Sequence, residues 1–212
     1  MKYKNIIFDL GKVLFDIRIQ STVEAFVSLG IQEFSGGYSN SHQPAFLDLF
    51  ETGKMSSEQF RESVRQRTGL SLSDDQIDAA WNAMLIGIPM HRYHWLENIS
   101  GKHRIYLLSN TNDIHLEKVT SMIDADYGMS KFEGLFHECY YSNRIGLRKP
   151  TAEIYHKVIS DHELDLSETV FIDDSRSNID GAIQFGLNSY HLKDDEQVET
   201  IPIFNDSETL NG

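Results

Sequence analysis

Cysteine, proline and basic residues are scarce in this sequence of 212 residues, and each shortage closes off a class of protein. One cysteine, Cys139, can make neither an intrachain disulfide nor a Cys-based zinc site. It lies in the run His137-Glu138-Cys139-Tyr140-Tyr141, which reads as strand, and is expected as a buried thiol in a reducing compartment. Nineteen Lys+Arg face 32 Asp+Glu, a formal charge of −13. A field of that sign repels phosphate backbones and anionic lipid heads, so neither nucleic acid nor membrane is expected as the main partner. No apolar stretch reaches the roughly 18 residues that a bilayer crossing needs, and the residues ahead of Asp9 are too few for a signal sequence, so the expected location is cytoplasmic. The composition also excludes disordered and collagen-like chains.

What is present is 40% apolar residues, enough for one globular unit with room for a smaller appendage. Four short apolar runs end in polar residues: Ile6-Ile7-Phe8 in Asp9, Ile105-Tyr106-Leu107-Leu108 in Ser109 and Asn110, Val170-Phe171-Ile172 in Asp173 and Asp174, and Cys139-Tyr140-Tyr141 in Ser142. Continuous runs of this length, separated by helical patterns, predict strands buried on both faces of a parallel sheet. The helical patterns between them carry Leu116, Val119 and Ile123, then Ile154 and Val158, then Ile179 and Ile183 before Gly186. A last strand is expected near Ser189 to Leu192. The fold class is therefore α/β with a doubly wound parallel sheet, in which ligands bind beyond the carboxyl ends of the strands.

Residues 17–98 read differently, as about four consecutive helices without a convincing strand. Capping boxes are expected at Ser21/Glu24, Ser56/Gln59 and Ser73/Gln76, with helix stops at Gly30, Gly69 and Gly87. The last helix should carry the stripe Ile77, Ala80, Trp81, Met84, Leu85, and Phe46, Leu49 and Phe50 should form one more apolar face. Segment 36–42 reads as a Gly/Ser/Asn-rich loop. The expected organisation is an α/β core of residues 1–16 and 99–200, a helical insert of 17–98, and an acidic tail of 201–212. The chain from Lys193 onward is expected to trail along the surface.

Asp9, Asp173 and Asp174 end two different strands. Brought together, three carboxylates raise one another's pKa and destabilise the fold unless a cation neutralises them. All-oxygen donors with an open coordination sphere favour Mg²⁺, which leaves room for phosphate and water. Ser109 and Asn110 would offer a hydroxyl, an amide and backbone N–H groups to phosphoryl oxygens, and Lys149 a compact positive charge. With these parts a carboxylate can attack phosphorus, the cations cancelling the repulsion between two anions.

The segments Asp9-Leu10-Gly11-Lys12-Val13, Leu107-Leu108-Ser109-Asn110-Thr111-Asn112, Arg148-Lys149-Pro150 and Phe171-Ile172-Asp173-Asp174-Ser175 resemble, in order and spacing, the four motifs of the haloacid dehalogenase-like (HAD) superfamily. The insert is similar to that superfamily's helical cap of the first type. Asp-Leu-Gly, Ser-Asn-Thr-Asn and Asp-Asp-Ser followed by Asn178-Ile179-Asp180-Gly181-Ala182 are most similar to the alpha-D-glucose-1-phosphate phosphatase branch. The resemblance implies a Rossmann-like core, Asp9 as nucleophile and metal ligand, Ser109 and Lys149 as phosphate partners, and Asp174 as direct metal ligand. Asp173 would stand behind it or bind through water. Phosphatases of this family commonly carry a second Asp two residues after the nucleophile, as acid and base; here that residue is Gly11, whose carbonyl can still bind metal but whose side chain moves no proton.

The resulting expectation is a Mg²⁺-dependent phosphatase acting on a small phosphorylated metabolite, a sugar phosphate such as glucose 1-phosphate. The alternatives are a haloacid dehalogenase, which the Asp173-Asp174 pair argues against, a phospho-acceptor signalling module, which would not need so long an insert, and a catalytically weak phosphate-binding or regulatory protein, which Gly11 keeps open. Trp81 is expected in the core of the cap, and His91 and His94 on a solvated linker face. His115 either lines the phosphate site or merely begins a helix. Phe15, Arg18 and the loop around His42 are substrate contacts or surface in equal measure. Asp16 and cap histidines stand near enough in sequence to replace the missing acid, without any residue being singled out.

Overall fold

The computed structural model describes residues 3–31 and 45–204. The chain enters as β1 (Asn5–Phe8) and leaves the sheet through β2 (Asp16–Ile17). Four helices follow, α1 (Ile19–Ser28), α2 (Ala45–Glu51), α3 (Ser57–Thr68) and α4 (Asp74–Asn82), before β3 (Leu85–Gly87) returns antiparallel to β2. Then α5 (Met90–Ser100) leads to β4 (Arg104–Ser109), and α6 (Asp113–Asp126) with α7 (Met129–Glu133) leads to β5 (Glu138–Tyr141). Beyond it, α8 (Ser142–Ile145) and α9 (Ala152–Asp161) lead to β6 (Thr169–Asp173), and α10 (Arg176–Phe185) to β7 (Asn188–His191).

Five strands form a parallel sheet in the order β5-β4-β1-β6-β7. Because strand side chains alternate, the continuous apolar runs feed two cores at once. Ile6, Phe8, Ile105, Leu107 and Ile172 meet α5, α6 and α7 on one face. Ile7, Tyr106, Leu108 and Phe171 meet α9 and α10 on the other. The chain builds outward from β1 to β5, then crosses back to place β6 and β7 on the opposite side. The crevice at the strand ends near β1 is the topological switch point. Cys139 sits in β5 as expected but is half-buried rather than buried, and desolvation pushes its thiol up to about 12.

The insert has a core of its own, in which Phe26, Phe50, Phe60, Ile77 and Trp81 pack together with Ile114 of α6. Ser56/Gln59 and Ser73/Gln76 form reciprocal capping boxes, and Gly69 closes α3 in the left-handed conformation at φ 66°. The third box does not form. Pairing of the Arg18 N–H with the Met84 carbonyl at 2.8 Å sets where the chain leaves β2, so α1 starts two residues before Ser21 with Arg18 at its N-cap and no side-chain cap. Nor does the Trp81 stripe continue to Leu85. The Thr22 hydroxyl donates to the Trp81 carbonyl at 2.9 Å and accepts the Met84 N–H at 3.1 Å, ending α4 and releasing Leu85 into a strand. In α2 the buried pair is Leu47 and Phe50, while Leu49 faces solvent.

Two expectations about chain organisation need correction. The boundary at residue 98 falls inside α5, whose Tyr93, Leu96 and Ile99 lie in the same core as Ile6 and Phe8, so this helix belongs to the sheet. Its His91 and His94 do face solvent, beside Glu199 and Glu97. The segment after Lys193 does not trail away. Val198 and Ile201 are buried, and Phe204 packs edge-on against Trp95 at 5.0 Å and lies over Phe8. Buried Arg92 donates to Gln197 and Glu199 on this strap and to Asp16 and the Leu14 carbonyl near β2. Three apolar side chains at intervals of three were masked by acidic neighbours. The loop 36–42 with His42, and residues 205–212, lie outside the described residues.

If the strap is part of the core, Ile201→Ala removes a buried side chain and lowers unfolding free energy by about 2–5 kcal/mol, measured by urea denaturation. A change near zero would mean the strap is detachable.

Candidate active site

Register brings the carboxylates together. Phe8 pairs with Ile172 and the Asp9 N–H bonds the Ile172 carbonyl at 2.9 Å, so Asp9 emerges directly beside Asp173. Oxygens of Asp9, Asp173 and Asp174 all lie within 4.8 Å of one another. Between them stands Lys149, 1% exposed, with Nζ 2.6 Å from Asp9 Oδ1 and 2.7 Å from Asp173 Oδ2. Asp173 is further held by the Ser175 N–H at 2.7 Å and by Asn178 Nδ2 at 3.1 Å to both its oxygens. Burial pushes the Asp9 carboxyl up to about 7, against the pull of Lys149 and with help from Asp173 and Asp174. Burial also opposes the charged form of Lys149, yet Asp173 and Asp9 outweigh it and hold the ammonium above its ordinary value. Asp174 is raised by burial and by Asp173.

Three carboxylates against two ammoniums, Lys149 between Asp9 and Asp173 and Lys12 beside Asp174, still leave an excess of negative charge at a largely buried, oxygen-only site. That donor set fits a hard divalent cation, and magnesium above softer metals. Asp9, Asp174 and the Gly11 backbone line the adjoining cavity, whereas Asp173 is turned to Lys149.

The remaining expected residues divide. Asn110 lines the cavity, but its amide clamps the backbone of Lys149, donating to the Lys149 carbonyl and accepting the Lys149 N–H, each at 2.9 Å. It therefore places the lysine rather than presenting its amide to a ligand. Ser109 is buried at the end of β4 and is not among the cavity-lining residues, which continue from Asn110 to Asn112. Asp16 is engaged by Arg92 at 2.7 Å and lies outside this cavity. Phe15 is buried in the core, and Arg18 pairs with Glu24 at the surface.

The cavity has a volume of about 160 Å³. The insert supplies its upper wall through Ile19, Glu51, Trp81 and Met84. His115 lies in that wall, stacked on the Trp81 indole at 4.8 Å and 8°. Its Nε2–H donates to the Trp81 carbonyl at 3.0 Å, and Nδ1 accepts from the Asn112 amide at 3.2 Å. Asn112 Oδ1 in turn caps α6 and accepts from the Trp81 indole N–H. Burial pushes the His115 imidazole down to about 4 despite the Trp81 carbonyl, so the ring is neutral and has both nitrogens occupied. It joins cap to core and is no proton donor at neutral pH.

Three residues escaped sequence reasoning. Lys12 takes the left-handed conformation at φ 58° and places Nζ 3.4 Å from Asp174. Its signal was present, a lysine directly after the glycine of the first motif. Arg148 stood in the third motif segment without a role, and Glu51 carried no signal, because only the docking of α2 on the core brings the two together.

A model of the haloacid dehalogenase-like hydrolase family matches residues 3–186, and the chain belongs to that family. D-ribitol-5-phosphate phosphatase of Bacteroides thetaiotaomicron is 29% identical over 187 residues, 88% of this chain and 90% of the relative. A HAD family enzyme of the same organism, an Asp-to-Ala variant in complex with magnesium and inorganic phosphate, superposes with a TM-score of 0.85 at 34% identity, covering 92% of this chain and 96% of that one. A HAD-like family hydrolase from Porphyromonas gingivalis superposes with a TM-score of 0.81 at 28% identity, covering 92% and 94%. Within its family the chain is a phosphatase.

The His115 network sets a sign for acid stability. Between about 4 and the ordinary imidazole value of 6.5, the unfolded chain binds a proton that the folded chain refuses. This ring therefore contributes stability above pH 6.5, and the contribution is lost as pH falls through 4. In an NMR titration the His115 ring should stay neutral down to about pH 5; a midpoint at the ordinary value would contradict the network.

Proposed function

We propose that the chain hydrolyses the phosphate monoester of a small hydroxylated metabolite, a sugar or sugar-alcohol phosphate such as glucose 1-phosphate or ribitol 5-phosphate, by way of a phosphoryl group carried on Asp9. The observation that carries this reading is the Asp9 carboxylate, which shares one buried ammonium with Asp173 while bordering a small cavity. At about 160 Å³ the cavity is well under the roughly 300–1,000 Å³ of drug-sized sites, which favours a short ester. The name of the ribitol-5-phosphate relative supports the same class.

Asp9 attacks phosphorus, the ester P–O bond breaks, and water then cleaves the mixed anhydride to return the free carboxylate. Lys149 holds the Asp9 oxygen in place and offsets the repulsion between two anions. Its ammonium takes a phosphoryl oxygen, while Asn110 keeps the lysine backbone fixed. Asp9, Asp174 and the Gly11 carbonyl would hold magnesium, which would supply charge neutralisation at the phosphoryl group. Asp173 steadies the arrangement from behind through Lys149, Ser175 and Asn178.

Gly11 leaves the departing oxygen without a side-chain acid at its usual place, and His115 and Asp16 are otherwise engaged. Esters with acidic leaving groups gain most from such a site, which favours the anomeric phosphate of a sugar over an ordinary alkyl ester. A dehalogenase reading fits poorly, since the uncancelled acidic cluster would repel a carboxylate substrate.

Asp9→Asn should abolish phosphate release while circular dichroism shows the fold intact, and Lys149→Ala should lose most of it. Turnover retained in folded Asp9→Asn would falsify the nucleophile assignment. Gly11→Asp should speed alkyl phosphate hydrolysis by about tenfold or more with little gain for aryl phosphate; its added Cβ meets only Ile17 Cδ1, at 3.4 Å. Equal effects on both esters would show that leaving-group protonation does not limit the reaction.

A further inference from the structure

The cap seats on the core at a second place, away from the Trp81 network. Arg148 reaches across from the loop before Lys149 to α2, pairing with Asp48 and, at 2.9 Å, with Glu51. Gly53, just beyond α2, takes φ 65° and lies so close to the Asn143 carbonyl that no Cβ fits between them. These contacts fix the end of α2 against the cavity. Glu51 is about 15% exposed there, and among the described residues it is the only acidic side chain of the lining besides Asp9 and Asp174. Successive side chains of one loop thus serve two sites: Lys149 turns to Asp9, and Arg148 to Glu51.

A carboxylate at this position is costly against a hydrocarbon. It repels the phosphoryl end of any ligand, and an alkyl chain entering beside it would strip water from the ion pair and return no hydrogen bond. A hydroxyl would return one, because a carboxylate has about four acceptor positions and its pair with a guanidinium does not exhaust them. Arg148, paired with two carboxylates of α2, orients Glu51. Apolar Trp81 and Met84 on the same wall suit the carbon backbone between hydroxyl groups.

We infer that Glu51, oriented by Arg148, is the specificity-determining residue of this enzyme, accepting a hydroxyl hydrogen bond from the substrate's carbon chain and so selecting polyol and sugar phosphates over hydrocarbon phosphates. Glu51 touches substrate; Arg148 also borders the cavity, but its guanidinium is turned to Asp48 and Glu51, and it serves as a positioning residue that acts through the carboxylate. The inference rests on the phosphatase reading given above, and the test separates the two.

D-ribitol 5-phosphate and n-pentyl phosphate have the same number of carbons and differ in their hydroxyl groups. With magnesium present, wild-type kcat/KM should favour the ribitol ester by about ten- to a hundredfold, the worth of one or two charge-assisted hydrogen bonds. Glu51→Gln should reduce that ratio by about tenfold, chiefly through KM of the ribitol ester. Arg148→Gln should reduce it as well, and the double variant should show no further loss, because the arginine works through the carboxylate. Binding supplies a readout free of turnover: in the Asp9→Asn background, calorimetry should give the same preference for ribitol 5-phosphate, weakened by Glu51→Gln. A wild-type ratio near one overturns the assignment even if the variants fail to fold. So do a ratio unchanged in folded Glu51→Gln and fully additive losses in the double variant. Failure to release phosphate from either ester, or from an aryl phosphate, would instead count against the phosphatase reading.

Discussion

Lys149 Nζ, within 2.7 Å of carboxylates from two neighbouring strands, is the contact on which the rest of the site depends. Asp9 and Asp173 are forced side by side by the parallel register of β1 and β6, Asp173 wholly buried and Asp9 nearly so. An ammonium between them converts a repulsion into a fixed geometry. It also leaves one carboxylate, Asp9, still facing the cavity with a raised affinity for protons and cations. Removing a partner from such a buried set is costly, because the charges left behind have nowhere to go. The supports are local and specific: the Asn110 amide grips the lysine backbone at both its donor and its acceptor, and Asn178 and the Ser175 N–H hold Asp173 from the other side.

The cap makes sense as the second half of this arrangement. Its own core is small, and it borrows Ile114 from α6 to complete it. Two polar junctions then fix its position. At one, Trp81, Asn112 and His115 satisfy one another, with both ring nitrogens of the histidine occupied. At the other, an arginine from the loop carrying Lys149 ties α2 down by charge. The wall of the cavity is thereby held through the same loops that position Asn110 and Lys149.

Much of this was legible from residue order. The buried strands announce themselves as unbroken apolar runs, and those of β1, β4 and β6 lead into Asp9, Asn110 and Asp174, which line the crevice. Both surviving capping boxes follow from their Ser and Gln spacing. The failures have a common physical origin, since each depends on a partner distant in sequence. Ser21 looked like a cap until the pairing of Arg18 with Met84 started α1 earlier. Leu85 continued a helical stripe until Thr22 intercepted the backbone at Met84. The strap after Lys193 looked solvated because Val198, Ile201 and Phe204 are diluted among acids, and nothing nearby reveals that Arg92 awaits Gln197 and Glu199. Glu51 and Arg148 are separated by nearly a hundred residues, and no spacing rule links them.

The strap ties two ends of the folding reaction together. Phe8 of β1 is covered by Phe204, and the Arg92 that braces Leu14 and Asp16 finds two of its acceptors at 197 and 199. The loop that carries Asp9 away from the sheet is therefore fully braced only once residues 197–204 have docked, which makes closure of the crevice a late, long-range event in folding.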